Sequence, residues 1–209
     1  MYVPKHFDAS DPTWCHRLIE AENFGTLVGV DAGGTPFATH LPFLLDADRG
    51  SLGTLLGHVA RANPQWRHFS AGRPVLAIFT GPHAYVSPAW YGVHPSVPTW
   101  NYVAVHAYGV PAVIEDPGRV TALLGRLVQT HEAGRPEPWT MDTLPADYLA
   151  GMLRGIVAFE IPLDRLEGKA KLSQNRGAAD QARVRDALAG AGDPLAAAVA
   201  ALMASRETP

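Results

Sequence analysis

The first half of the chain alternates apolar and polar positions with the period of β structure. FGTLVGV (24–30) predicts a strand, Asp31-Ala-Gly-Gly-Thr35 a hairpin turn, and PFATHLPFLLD (36–46) the return strand. Ser51 to Ala60 reads as a third strand, with Leu52, Thr54, Leu56 and His58 on one face. RPVLAIFT (73–80) is a near-continuous apolar run, the pattern of a strand covered on both sides. The clearest alternation runs from Trp100 to Val110. There Trp100, Tyr102, Ala104, His106 and Tyr108 share one face, and Asn101, Val103, Val105 and Ala107 the other.

The period then changes. Asp116-Pro117 offers an N-cap and a proline for the first helical position. Val120, Leu123, Leu124, Leu127 and Val128 follow at helical spacing, up to a stop near Gly134. Residues 13–22 predict a short helix behind a polar arm (1–12), and residues 145–154 another helix. GIVAFEI (155–161) predicts a strand. Residues 178–190 and 194–204 predict two last helices, the second opened by Asp193-Pro194. The sum is a mainly β, antiparallel fold with flanking helices, five to seven strands in a meander or barrel, where closure removes exposed edges.

Composition narrows the function classes. The 209 residues suffice for one domain with a sizeable core, and 47% hydrophobic against 18% charged residues is a globular balance. A net charge of -3 supplies no basic excess for a phosphate backbone. The last helix, LAAAVAALMA, carries no side chain that reads a base edge, so a packing role is expected of it. The single cysteine, Cys15, makes no internal disulfide, which fits a reducing compartment. No signal-peptide pattern and no membrane-length apolar run is present, so a cytoplasmic protein without a membrane partner is expected.

Candidate chemistry is diffuse. There is no GxSxG, Walker loop, GxGxxG or HExxH. The nine histidines fall at no zinc-site spacing, and no metal is expected, although His40, His58 and His83 could meet in three dimensions. No acid–base or nucleophile pair stands out, so no catalytic residue is named. The block from Gly81 to Tyr108 is rich in Pro, His, Trp and Tyr. It suits either a rigid surface for a flat heterocycle or an interface. GHVARANPQW (57–66) reads as a phosphate-cradling turn or as an Asn cap on a short helix with Arg61 exposed. KAKLSQNR (169–176) offers hydrogen-bond donors to an anion or a carbonyl-rich ring. Alternatively, Ser173 or Asn175 caps the following helix.

MYVPKHF at the start, THLP (39–42), GHVARANPQW, GPHAYVSPAWY (81–91), VPTWNYVAVHAYG (97–109) and KLSQNR (171–176), in this order, resemble the PaiB family of FMN-binding negative transcriptional regulators. The resemblance runs from Met1 to about Asn175. It implies an FMN-binding split β-barrel related to pyridoxamine-phosphate oxidase, built of residues 1–175 with an N-terminal arm and inserted helices. Residues 176–209 would form a helical extension packed on the barrel or the dimer. It further implies a homodimer with FMN at the interface and a DNA or regulatory protein partner. Carried over, Thr39 and His40 would border the isoalloxazine, and His58, Arg61 and Asn63 would lie nearest the phosphate. Trp100 and Tyr102 would line the ring or interface, and Lys171, Gln174 and Asn175 would close the pocket, from the far subunit or from the same one. The alternative expectation is a flavin-dependent oxidoreductase acting on a small molecule. A weaker one is haem on His40, His58 or His83.

Overall fold

Asp-Pro pairs start three of the helices in the computed structural model, which describes residues 1–205. Asp11 accepts from the Trp14 N–H ahead of helix α1 (Pro12–Ala21), and Asp116 from the Arg119 N–H ahead of α2 (Pro117–Glu132). Asp193 accepts from the Leu195 N–H ahead of the last helix (Pro194–Ala204). In each case the carboxylate satisfies an orphan backbone donor, and proline fills a position whose N–H needs no partner. The other two helices are α3 (Ala146–Arg154) and α4 (Ala178–Ala189), which makes the last one α5. Among the described residues no helix is long and apolar enough to cross a membrane.

The strands are β1 (Phe24–Val30), β2 (Pro36–Pro42), β3 (Leu44–Asp46), β4 (Thr54–Ala60), β5 (Val75–Val86), β6 (Thr99–Gly109), β7 (Ala112–Val113) and β8 (Ile156–Lys171). They form one eight-stranded sheet in the order β2-β1-β5-β6-β8-β4-β3, with β7 also paired to β8. The β1–β2 hairpin keeps register from Phe24↔Pro42 to Val30↔Pro36. Its turn is held by the Asp31 carboxylate, which accepts from the N–H groups of Gly33 and Thr35, both at 2.8 Å.

Four sequence expectations need correction. The return strand 36–46 breaks at Phe43. Its N–H makes the last bond in register with β1, to Asn23 O at 2.8 Å, its ring is buried, and from Leu44 the chain pairs with β4 instead. The third strand starts at Thr54, after Gly53 at φ +88, and Leu55, Leu56 and Val59 are all buried, so both of its faces are covered. The strand of 73–80 runs on to Val86 and absorbs the first residues of the aromatic block that begins at Gly81. The strand of 155–161 is 16 residues long, and the separate strands β3 and β7 raise the count to eight. Pro162, Asp164 and Gly168 read locally as punctuation. Pro162 is accommodated because it is the terminal register partner of Thr54.

The chain divides into two compact units. The first is Met1–Glu22, Phe79–His106 and Leu166–Pro209, of which residues 206–209 lie outside the described residues, as does that end of the expected 176–209 extension. Its core sets Val184 and Leu188 of α4 and Ala196, Val199 and Ala200 of α5 against Ala84, Val86, Val103, Ala170 and Leu172 of the strands and their ends. The packing role expected of the last helix is therefore what α5 performs. The N-terminal arm is fixed to β8. The Ala9 N–H donates to Gly168 O at 3.1 Å, the Asp8 backbone forms an antiparallel β-bridge with that of Lys169, and the N-terminal ammonium pairs with Glu167.

The second unit is Asn23–Ile78 and Ala107–Arg165. Leu123 and Leu127 of α2 pack on Leu44, Leu56, Ile114 and Ala158. Phe159 meets Phe43 and Phe69 edge-to-face, with ring centroids at 6.4 and 5.1 Å.

Candidate functional site

In the second unit, Thr39 and His40 occupy adjacent positions of β2 and so point to opposite faces. His40 Nδ1 bonds Thr26 Oγ1 across the hairpin at 2.9 Å, where register makes the two direct partners. Thr39 Oγ1 accepts from Asn63 Nδ2 at 2.8 Å. Asn63 is also the N-cap of the 3-10 helix Pro64–Ala71, accepting from the Gln65 N–H at 2.9 Å. One amide thus fixes the turn and joins it to β2.

Arg61 lies in the same turn but is directed elsewhere. Its Nε and Nη2 donate to the carbonyls of Arg154 and Ile156 at 2.7 and 2.8 Å, and its N–H to Gly155 O at 2.8 Å. It closes the C-terminal end of α3, with the Trp66 ring 6.0 Å from the guanidinium. Two of its side-chain N–H groups are therefore committed, and those on Nη1 with the second on Nη2 are what it offers an anion.

His58, on β4, is half-buried. Its Nδ1 is buried with no hydrogen-bond partner among the described residues. Burial pushes the imidazole pKa down, so the ring is held neutral. A group depressed in the fold contributes stability that is present above its unfolded pKa of about 6.5 and is lost as pH falls through the folded value. Thermal melts from pH 7.5 to 5 should therefore show a falling Tm that His58→Phe flattens. Parallel pH profiles for the two proteins would refute this role of His58.

In the first unit, Trp100 is 53% exposed. It stands at the outer end of β6, with His83 and Tyr85 of β5 at ring-centroid distances of 6.3 and 6.0 Å. Tyr85 is 47% exposed, so the three rings present a broad aromatic surface to solvent. The Lys171 ammonium donates to Thr99 Oγ1 and to the Trp100 carbonyl, which places a cation beside that surface. Burial, and then the neighbouring Lys169 charge, push its pKa down. Tyr102, on the same face of β6 as Trp100, has its ring 5.2 Å from Lys169 Nζ. Gln174 is turned back on its own loop, accepting from the Leu172 N–H at 2.7 Å and donating to Ala170 O at 2.6 Å. Asn175 is exposed.

Neither Ser173 nor Asn175 caps the following helix. The N-cap of α4 is Gly177, with no side-chain bond. Ser173 instead adopts φ +68 and bonds Asn101, a residue that no sequence motif marks as functional. Asn101 is fully buried, with Nδ2 3.0 Å from Ser173 Oγ. Its signal was present in the sequence: it is the polar member of the phase of β6 that otherwise carries Val103, Val105 and Ala107.

The predicted residues thus fall into two groups, one per unit. Thr39 and Asn63 meet in the second unit, Trp100 and Lys171 in the first. The donor chemistry suits FMN in part: an aromatic surface with an adjacent ammonium fits a flavin ring, and the 61–63 turn offers an amide and what remains of one guanidinium. Among the described residues, no group of three or more His, Cys, Asp or Glu side chains is placed to hold a metal ion.

Comparison with known proteins agrees with this chemistry. Residues 1–165 match the family described as "Putative FMN-binding domain". The chain is 37% identical over 203 residues to Bacillus subtilis "Protease synthase and sporulation protein PAI 2", covering 97% of this chain and 96% of that one. Among solved structures it is similar to the flavocytochrome Anf3 from Azotobacter vinelandii, with TM-score 0.61, 15% identity, and coverage of 81% and 72% of the two chains. It is also similar to the FAD and haem binding protein from Mycobacterium smegmatis, with TM-score 0.56, 19% identity, and coverage of 84% and 78%. These structural likenesses show the fold, an antiparallel split β-barrel with flanking helices. The family match and the near full-length relative show the rest: this chain belongs to the FMN-binding family of PaiB-type proteins.

Proposed function

We propose that the protein is a cytoplasmic homodimer that binds FMN and acts in transcriptional regulation. The observation that carries the flavin half is the exposed aromatic surface of Trp100, His83 and Tyr85 with Lys171 beside it, in a chain whose family is defined by FMN binding. Thr39, His40 and Asn63 are proposed as flavin contacts in the second unit, and Trp100, Tyr102, Lys171 and Asn175 in the first. Arg61 takes a supporting part, with its Nη1 group and the second N–H of Nη2 to offer, and His58 is not among the proposed contacts because it lines a different cavity, between α2 and α3, that no Lys or Arg borders. Bound FMN would supply a redox-active, light-absorbing ring. The protein's part is to hold it and to set its hydrogen bonding.

The regulatory half rests on the relative, whose name ties it to protease synthesis and sporulation. The reading favours regulation through a protein partner. The buried faces of α5 are alanine and valine, and the helix carries no base-reading side chain.

The protein reconstituted with FMN and passed through gel filtration should keep a yellow spectrum and elute as a dimer. Trp100→Ala, at a half-exposed site, should cost less than about 0.5 kcal/mol in stability yet weaken FMN retention at least about tenfold, as loss of one aromatic contact of about 1.4 kcal/mol would. A colourless product sinks the cofactor reading. A Trp100→Ala protein that holds FMN as well as the parent sinks the assignment of this surface.

A further inference from the structure

A cavity of about 380 Å³ opens in the second unit between α2, α3 and the residues that join them. That volume lies within the range of small-molecule pockets. Its walls include Leu127 and Val128 of α2, Leu149 and Met152 of α3, Trp139 of the joining segment, and His58 of β4. No Lys or Arg lines it, so it does not suit the phosphate end of a nucleotide.

Three features mark it as more than a packing fault. First, α3 buries none of its residues, and Met152 and Trp139 stand 53% and 44% exposed, so apolar side chains here form an open wall instead of filling the space. Second, the wall is held in place. The Trp139 N–H donates to Glu132 Oε2 at 3.1 Å, Glu132 is paired with Arg135 at 3.3 Å, and Arg61 closes the C-terminal end of α3. Third, His58 lines the cavity and has one buried nitrogen without a partner, in a mainly apolar lining whose other charged or titratable side chains are His131 and Glu132, and an unsatisfied buried polar group is costly unless something bonds it.

We propose that this cavity is a small-molecule site separate from the flavin, for an uncharged, mainly apolar molecule whose single hydroxyl or equivalent group pairs with His58. The apolar body of such a ligand takes the place of water against Leu127, Val128, Leu149 and Met152. Its one polar atom answers the orphan nitrogen. A carboxylate or phosphate would be disfavoured by the Glu132 side chain on the lining.

The test is isothermal titration of the full chain at pH 7.5 with 4-propylphenol, a probe with an apolar body and one hydroxyl. The expected result is saturable binding at one site per chain. Val128→Trp, which fills the cavity, should abolish it. Met152→Glu, at an exposed position with no expected folding defect, should weaken it. His58→Phe should weaken it about tenfold, the worth of one hydrogen bond. No saturable binding to the parent protein, or equal binding by Val128→Trp and Met152→Glu, overturns the proposal. FMN retention by Val128→Trp should equal the parent's. The flavin reading can therefore fail while this one stands, and the reverse.

Discussion

Gly168→Ala should destabilise the protein by at least about 3 kcal/mol, because overpacking here meets backbone that has nowhere to go. A Cβ at this position would lie 2.0 Å from Ala9 O, 2.6 Å from the Ala9 carbonyl carbon and 2.9 Å from Cys15 Sγ. None of these is the free end of a flexible side chain. The contact cannot be relaxed by sliding the arm, since the Ala9 N–H is bonded to Gly168 O and the Gly168 N–H to Ser10 Oγ, both at 3.1 Å. Either β8 bends or the arm lets go. If the arm lets go, Phe7, Ala9 and Cys15, all buried, lose their cover. For a chain of this length 3 kcal/mol is a fall in Tm of roughly 6–12 °C. Gly125→Ala is the control. It lies within α2 with nothing inside 4 Å of the added Cβ, so helix propensity alone should raise stability by about 0.5–1 kcal/mol. A Gly168→Ala protein melting within 2 °C of the parent would show that the arm is not clamped as described.

What the sequence made legible follows from the range of the forces involved. The Asp-Pro helix starts at Pro117 and Pro194 are local events, one carboxylate and one N–H a few residues away, and the pattern located both. The β1–β2 hairpin is local in the same sense, fixed by Asp31 and its own turn. The strand β8 is not. Its second half reads as punctuation because a 16-residue strand is set by what pairs with it, and β4, β7 and the N-terminal arm are distant in sequence. The site divides along the same line. Asn63 was legible as a cap because the cap bond reaches two residues. Its second bond, to Thr39, and the commitment of Arg61 to the end of α3 span 24 and 93 residues and leave no periodic trace. Likewise, Leu124, Leu127 and Val128 announced a helix with an apolar stripe. That part of the stripe borders a cavity holding His58 depends on β4, which the helical period does not encode.

Asn101→Ala should cost about 2–4 kcal/mol, the second-largest effect expected of a single substitution here. Asn101 and Ser173 are buried to 0% and 3% exposure, 72 residues apart. They exchange hydrogen bonds, Asn101 Nδ2 to Ser173 Oγ at 3.0 Å and Ser173 Oγ to Asn101 Oδ1 at 3.3 Å. Removing the amide opens a small void in the packed phase of β6 and orphans the Ser173 hydroxyl. It also removes what holds Ser173 at φ +68, a conformation that a non-glycine residue adopts only at a cost. Ser173→Gly separates these terms. Glycine accepts φ +68 freely, so the relief of strain offsets much of the lost hydrogen bond and the net cost should stay below about 1 kcal/mol. The double variant should cost less than the sum of the two, since both remove one interaction. The pair also fixes the Lys171–Asn175 segment proposed to meet the flavin. FMN affinity should therefore fall in Asn101→Ala at temperatures where the fold is intact, while Gly125→Ala leaves it unchanged. Additive costs in the two single variants would refute the coupling. An Asn101→Ala protein with parental FMN affinity would show that the order of this segment does not govern flavin binding.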